Sequence, residues 1–281
     1  MMLKLFKKRD APVVQKAGSV APVAVLGDIH ANLEALEAVL ADIKQSGIKQ
    51  FACTGDIIGY GADPRKCLEI VRNLNCPVVQ GNHDYYAATD DSLSDFTLPA
   101  MNAMLWTRAQ LSGAERKWLG NLPLKADVTT EYTETTENVG ANRQVAHLVH
   151  SSLLEPEKWH YVLKPEAADR NLLIQNPDVV FFGHTHVPSL FSFHLATKEF
   201  RTVFPLGEGT HSLEPGWKYL INPGSVGQPR DHDPRASYAV FDPAKRTVTL
   251  RRVKYDIASA QRKITEAGLP VRNADRLAKG R

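Results

Sequence analysis

Apolar residues along this chain follow two rhythms: short unbroken runs that stop at a glycine and a polar residue, and stretches where they recur every third or fourth position. The run Val20-Ala21-Pro22-Val23-Ala24-Val25-Leu26 stops at Gly27-Asp28-Ile29-His30 and predicts a buried strand. Beyond it Leu36, Val39, Leu40 and Ile43 keep helical spacing, with Asn32 as N-cap and Gly47 as the stop. The unit then recurs. Gln50 to Thr54 predicts a strand ending at Gly55-Asp56, Asp63-Pro64 opens a helix through Leu68, Ile70, Val71 and Leu74, and Pro77 to Gln80 predicts a third strand ending at Gly81-Asn82-His83-Asp84. Strand, helix, strand, helix, strand with short links predicts a parallel sheet with right-handed crossovers, which gathers chemistry at the carboxyl ends of its strands. Asp28, His30, Asp56, Asn82 and His83 are therefore expected to converge.

Residues 85 to 123 read as helical, with Met101, Met104, Leu105 and Trp106 following Pro99 and a capping box from Ser112 to Glu115 opening a second short helix. Helix packing explains these residues; a lid over the site, hinged at Asp90, Asp91, Ser92 and Ser94, or an oligomer contact is the sharper alternative. Lys125 to His147 predicts a hairpin turning near Asn138 to Asn142, and Val145 to Val149 delivers His150 at a strand end. A helix over 165 to 175 leads to Val179-Val180-Phe181-Phe182, which stops at Gly183-His184-Thr185-His186. Further strands are expected at Ser189 to Leu195, Phe200 to Leu206, Tyr219 to Ile221, Ser237 to Phe241 and Thr247 to Val253. An amphipathic helix from Asp256 to Gly268 and a last turn around Leu277 close the chain.

Composition narrows the class without naming it. The chain has 281 residues, 43% of them apolar, enough for an extended core, and the expected organisation is one domain over 21–281. Residues 1–20 read as a mobile basic tail, 85–123 as a helical insert and 256–279 as a helical tail. A net charge of +3 is far from the single-sign field of a dedicated nucleic-acid binder. Cys53, Cys67 and Cys76 are odd in number and lack zinc-type spacing, which disfavours a disulfide framework and favours a reducing compartment. No apolar run approaches the roughly 20 residues that span a bilayer. A cytoplasmic protein without a membrane partner is expected.

Collecting the strand-end groups gives two carboxylates, Asp28 and Asp56, one amide, Asn82, and four imidazoles, His30, His150, His184 and His186. That is too many ligands for one ion. Shared through Asp56 they suit two divalent ions about 3.5 to 4 Å apart, the separation of two-metal hydrolytic sites. Oxygen and nitrogen donors without thiolate suit manganese, iron, nickel, cobalt or zinc in a hydrolytic role rather than a structural zinc. Two dications against two carboxylates leave positive charge that attracts phosphate oxygens and lowers the pKa of bound water to about 7.

Asp28-Ile-His30, Gly55-Asp56-Ile-Ile-Gly59, Gly81-Asn82-His83-Asp84, His150 and Gly183-His184-Thr-His186 together resemble the five-block signature of calcineurin-like metallophosphoesterases. Asn222-Pro-Gly-Ser-Val-Gly-Gln-Pro-Arg230-Asp231, Asp233-Pro-Arg235-Ala-Ser-Tyr and the Ala267-Gly-Leu-Pro270 tail resemble the small bacterial branch of that family. The resemblance covers about residues 21 to 279 and implies a four-layer α/β/β/α sandwich. It puts Asp28, His30, Asp56 and His186 on one metal and Asp56, Asn82, His150 and His184 on the other, with manganese first among the candidate ions. It makes His83 the general acid and Asp84 the residue holding its ring. Ser151 departs from the pattern, since many relatives have glycine there.

The implied activity is hydrolysis of a small phosphodiester or nucleotide, or of a phosphomonoester, by in-line attack of a metal-bridging hydroxide. Dinucleoside polyphosphate hydrolysis and protein dephosphorylation share that chemistry and stay open. A nuclease would want a more basic groove. A binding scaffold that has lost catalysis predicts damaged ligands, and all seven are intact. Arg230 and Arg235 are candidates for phosphate, because a guanidinium matches it bidentately. His147 reads as a core or edge histidine, His160, His194 and His211 as surface residues, and His232 as bordering the site. A homo-oligomer is compatible with all of this.

Overall fold

The computed structural model describes residues 19–133 and 142–281. In chain order the elements are β1 (Ser19–Val20), β2 (Val23–Leu26), α1 (Leu33–Gln45), β3 (Gln50–Cys53), α2 (Pro64–Asn73), α3 (Asn82–Ala88), α4 (Leu98–Gln110), α5 (Gly113–Gly120), β4 (Lys125–Thr133) and β5 (Asn142–Val149). There follow α6 (Pro165–Ile174), β6 (Val179–Phe181), β7 (Ser189–His194), β8 (Phe200–Val203), β9 (Gly209–Ser212), β10 (Trp217–Asn222), β11 (Ala236–Asp242), β12 (Thr247–Val253), α7 (Ile257–Glu266) and α8 (Val271–Leu277). A single turn of tighter helix at Pro156–Lys158 sits between β5 and α6.

The strands form two mixed sheets, one ordered β1-β4-β5-β6-β10-β7-β8 and the other β3-β2-β11-β12-β9. Among the described residues the parallel ladders are β2 with β3, β5 with β6 and β6 with β10, and the other ladders are antiparallel. The sheets face each other across an apolar layer to which Val23, Val25, Ala239 and Phe241 contribute from one side and Leu148, Phe181, Tyr219 and Ile221 from the other. On the outer face of the smaller sheet Ala24 and Leu26 pack with Leu36, Val39 and Ile43 of α1 and with Leu68 and Val71 of α2. Outside the larger sheet Val180, Phe191 and Leu220 pack with Ala168 and Leu172 of α6. Alternate residues of one strand thus serve different layers, as the period of two requires, and the order α/β/β/α follows.

Several expectations are corrected. The run from Val20 to Leu26 is not one strand: Pro22 has no N–H for a ladder, and the chain divides there. Ser19 and Val20 pair with Thr133 and Tyr132 in the larger sheet, whereas β2 lies inside the smaller one. The expected tail therefore ends before Ser19, and its residues 1–18 lie outside the described residues, as does the turn of the β4–β5 hairpin. Pro77 to Gln80 makes only one bridge, Cys53 with Val78, because Pro77 lacks an N–H and Gln80 donates to Pro123 O (2.8 Å). Strand β9, with one glycine and no apolar residue, carries no period that would announce it in the sequence.

Asn32 caps α1 as expected, its Oδ1 accepting from Ala35 N (3.2 Å), and Ser112 and Glu115 form the reciprocal box at α5. The loop from Asp90 to Ser94 is tied to its surroundings: Arg116 pairs with Asp90 (2.6 Å) and Arg108 donates to Asp91 O (3.0 Å). No described helix is long and apolar enough to cross a membrane.

A polar lock joins α1 to the smaller sheet. Asp42 accepts from Tyr238 Oη (2.5 Å) and from Arg251 Nη2 (2.8 Å). Burial pushes the Asp42 carboxyl up, but the hydrogen bonds from Arg251 and Tyr238 outweigh it and hold its pKa below the usual range. Asp42→Asn should lower stability at neutral pH by about 1–2 kcal/mol. Since the folded pKa is the depressed one, that stabilisation is complete above about pH 4 and fades as pH falls through the folded value. Thermal melts of both proteins from pH 7 to pH 3 should show the gap in melting temperature closing in acid; a gap independent of pH would contradict this role.

Candidate metal centre

The ends of β2, β3, β5 and β6 and the segment after the Val78 bridge open onto one edge of the sandwich. Chain segments leaving β2 and β3 are zipped together by Thr54 N to Leu26 O (2.9 Å), Asp28 N to Gly55 O (3.0 Å) and His30 N to Asp56 O (3.0 Å). Gly183 N donates to His150 O (2.8 Å), joining the ends of β5 and β6. The result is that Asp28, His30, Asp56 and His186 form one cluster and Asp56, His150 and His184 a second, each with potential ligand atoms within 4.8 Å of one another and every member buried. Asn82 joins the second cluster, its Oδ1 lying 3.3 Å from His150 Nε2.

Asp56 belongs to both. Its Oδ2 stands 3.5 Å from His30 Nε2 and 3.4 Å from His150 Nε2, while its Oδ1 is held by the backbone N–H of His83 (2.8 Å). In the first cluster His186 Nε2 lies 3.0 Å from His30 Nε2 and 3.4 Å from Asp28 Oδ1.

The imidazoles are oriented from behind by carbonyls. His30 Nδ1 faces Ile58 O (3.1 Å), His150 Nδ1 faces Thr54 O (2.7 Å) and His186 Nδ1 faces Gln228 O (2.6 Å). A carbonyl only accepts, so each Nδ1 carries the proton and each Nε2 turns inward. Burial pushes the pKa values of His30 and His186 well below the ordinary histidine value. Two neutral rings then point lone pairs at each other over 3.0 Å beside two carboxylates, an arrangement that repels itself unless a cation lies among the donors. The donor set therefore fits a divalent ion.

The remaining groups are pulled in opposite directions by burial and by their neighbours. Burial raises Asp28 to about 7, with Asp56 adding to it and His150 opposing it. Asp56 works the other way: burial opposes its ionisation, but His150, His83 and His30 hold it below the usual carboxylate range. Burial also disfavours charge on His150, yet Asp56 lifts its pKa to about 9. Burial and His150 push His184 down to about 3.

Backbone strain concentrates here. Asp28, His30, Asp56, His184 and His186 all have φ between 49° and 67°, the left-handed region that non-glycine residues rarely occupy. Each such residue costs about 1 kcal/mol or more, and sites that retain them are held by surrounding structure. One clip is the segment after β10. Asn222 Nδ2 donates to Gly183 O (2.8 Å) and Thr185 Oγ1 (3.0 Å), Ser225 Oγ donates to Asp28 O (2.7 Å), and Asn32 Nδ2 donates to Gly227 O (2.8 Å). The sequence singles out this segment, but hydrogen bonding by Asn222 and Ser225 has no period or spacing that would announce it. Ser151, where the pattern departs, is buried and stays outside the left-handed region, so glycine is not required there.

Asp84 does not hold the ring of His83. Its Oδ2 accepts from Asp56 N (2.8 Å) and Gly81 N (3.1 Å), and its Oδ1 from Ile57 N (3.0 Å). It is a backbone anchor that shapes the Asp56 turn and starts α3, and burial raises its pKa to about 7. The ring of His83 is instead wedged among Tyr60 (4.5 Å between centroids), His30 (4.8 Å) and Phe96 (5.4 Å), with Nδ1 buried and unpartnered. Burial takes its pKa down to about 4.

A cavity of about 160 Å³ opens over the clusters, with Asp56, Asn82, His83, His184 and His186 on its floor and Tyr60, Phe96, Tyr161 and Arg230 around it. Arg230 Nε is buried without a partner, and its Nη2 reaches Gln228 Oε1 (3.0 Å). Arg235 is not at the cavity, because Asp233 (2.7 Å) and Glu208 (2.9 Å) take its guanidinium. His232 is exposed and beside Arg281 (3.2 Å), away from the cavity. His147 is half-buried and bonded to Asp127 (2.6 Å) on the neighbouring strand. Sequence reasoning missed Tyr60, Phe96 and Tyr161; the only signal for the last was an aromatic cluster, Trp159-His160-Tyr161, in an otherwise polar loop.

A family model described as the calcineurin-like phosphoesterase superfamily domain matches residues 22–246. An uncharacterized protein of Methanocaldococcus jannaschii is 41% identical over 259 residues, 92% of this chain and 98% of the relative. Among solved structures, a metallophosphoesterase from Sphaerobacter thermophilus is 36% identical, with a TM-score of 0.75 over 93% of this chain and 100% of that one. A hypothetical protein from Pyrococcus horikoshii OT3 shares the fold at 20% identity, with a TM-score of 0.68 over 93% of this chain and 99% of the other.

The crowding at Asp56 gives a test. A Cβ on Gly81 would lie 2.1 Å from Asp56 Oδ1 and 2.4 Å from Asp56 N, so the carboxylate has to move. Gly81→Ala should weaken Mn²⁺ binding by roughly 10–100-fold in calorimetric titration, the range for residues that orient ligands. Unchanged affinity would show that the position of Asp56 does not matter.

Proposed function

The chain belongs to the calcineurin-like phosphoesterase superfamily, and on that premise we propose that it is a metal-dependent hydrolase of small phosphodiesters or nucleotides, with phosphomonoesters as second choice. The observation that carries this reading is Asp56 Oδ2 between two ligand clusters, at 3.5 Å from His30 Nε2 and 3.4 Å from His150 Nε2. Asp28, His30, Asp56 and His186 would hold one ion; Asp56, Asn82, His150 and His184 would hold the other. Two bound divalent ions, manganese first among candidates, supply a water of near-neutral pKa and positive charge for phosphate oxygens.

The chain's own groups do the rest. Carbonyls of Ile58, Thr54 and Gln228 fix the ring orientations, so that no reorganisation is needed when substrate arrives. Arg230, with Nε unpartnered at the cavity, binds a non-bridging phosphate oxygen and orients the ester. His83, held by Tyr60, His30 and Phe96, delivers a proton to the departing oxygen. A negatively charged phosphate beside the ring works against the burial that depresses its pKa. A cavity of about 160 Å³ supports a small substrate, since pockets for drug-sized ligands run to roughly 300–1,000 Å³. Phosphoprotein and dinucleoside polyphosphates fit it less well.

Purified protein should hydrolyse bis-p-nitrophenyl phosphate with added Mn²⁺ and lose the activity on chelation. His83→Asn should lower kcat by roughly 100-fold or more, the usual worth of a general acid. Full activity in a chelated sample, or in the His83 variant, sinks the mechanism.

A further inference from the structure

The loop between β5 and α6 carries Trp159 and Tyr161, two residues apart, and lays each ring against a histidine of the second cluster. Trp159 stands edge-on to His150 with centroids 6.0 Å apart at 70°, and Tyr161 stacks on His184 at 4.1 Å and 24°. Shielding the imidazoles from water accounts for the inner faces of both rings. It does not account for Tyr161, which is 53% exposed while lining the cavity. One face of this ring is backed by His184, so the ring is rigidly placed. More than half of the residue stays open beside the metal ligands. An aromatic ring fixed on one side at the edge of a site leaves its remaining surface to a flat group of a ligand, and an offset-stacked pair is a favoured geometry.

Around the same cavity stand Phe96 and Tyr60, packed on His83, with the Arg230 guanidinium 5.9 Å from the centre of the Tyr60 ring. The floor and Arg230 attract an anion, and the walls offer π faces. Asp95, also lining the cavity, repels further phosphate groups. We propose that the open face of Tyr161 is a stacking platform for a flat aromatic group carried by the phosphoester. The preferred substrate is then an aryl or nucleoside phosphoester of mononucleotide size, in place of an alkyl ester or a polyphosphate. The proposal rests on the phosphoesterase reading and narrows its substrate class.

The test compares Mn²⁺-loaded wild type with Tyr161→Phe, Tyr161→Ala and Tyr161→Leu, the last keeping an apolar cover over His184. By calorimetry wild type should bind phenylphosphonate about tenfold more tightly than methylphosphonate, the scale of one aromatic stacking contact. Tyr161→Phe should keep that ratio, and Tyr161→Ala and Tyr161→Leu should cut it below about threefold. A ratio near one in wild type, or a tenfold ratio surviving in both truncated variants, overturns the platform. Turnover of methyl and phenyl p-nitrophenyl phosphate is measured alongside. Turnover of both esters with a binding ratio near one removes the platform and leaves the phosphoesterase reading standing. A tenfold binding preference that depends on Tyr161, with turnover of neither ester, supports the platform and removes that reading.

Discussion

A single buried carboxylate ties the site together. Asp56 fixes one oxygen with the N–H of His83 and leaves the other between two histidines that belong to different ligand clusters. Its position is over-determined: Asp84 binds its backbone N–H, Gly81 presses against its side chain, and the turn it sits in is left-handed. Gly81, His83 and Asp84 all belong to the one segment that opens α3, while the two histidines come from the ends of β2 and β5. The two sheets can thus be viewed as the frame that brings those ends to one edge, and the clip around Asn222 and Ser225 as what keeps the strained turns from relaxing.

Much of this was legible in the sequence because it is local. Short apolar runs ending in glycine and a polar residue locate β2, β3 and β6 and the residues Asp28, Asp56, His184 and His186 that follow them. The resemblance divides the histidines between two metals; in the structure His186 lies beside His30 and Asp28, and His184 lies in the cluster of His150. What was not legible depends on the tertiary fold. Pro22 splits an apolar run between two sheets, since ladder partners, not hydrophobicity, decide where a strand ends. Asp84 follows His83 in sequence, so a ring-holding role was natural to expect; α3 turns its carboxylate back onto three backbone N–H groups instead. Arg230 and Arg235 look equivalent in the sequence, and only the acids Asp233 and Glu208 separate them.

The walls of the cavity were the least legible part. Tyr60, Phe96 and Tyr161 come from three unrelated loops and share no spacing, so nothing but the fold brings them to one place. They line the part of the cavity that the ligand set does not define, and a fold shared by many functions differs among them in such side chains.

Anomalous diffraction from crystals grown with Mn²⁺ tests whether Asp56 is shared by two cations. Sharing gives two anomalous peaks about 3.5 to 4 Å apart, with Asp56 Oδ2 between them. A single peak, or two peaks of which only one lies against Asp56, would contradict it.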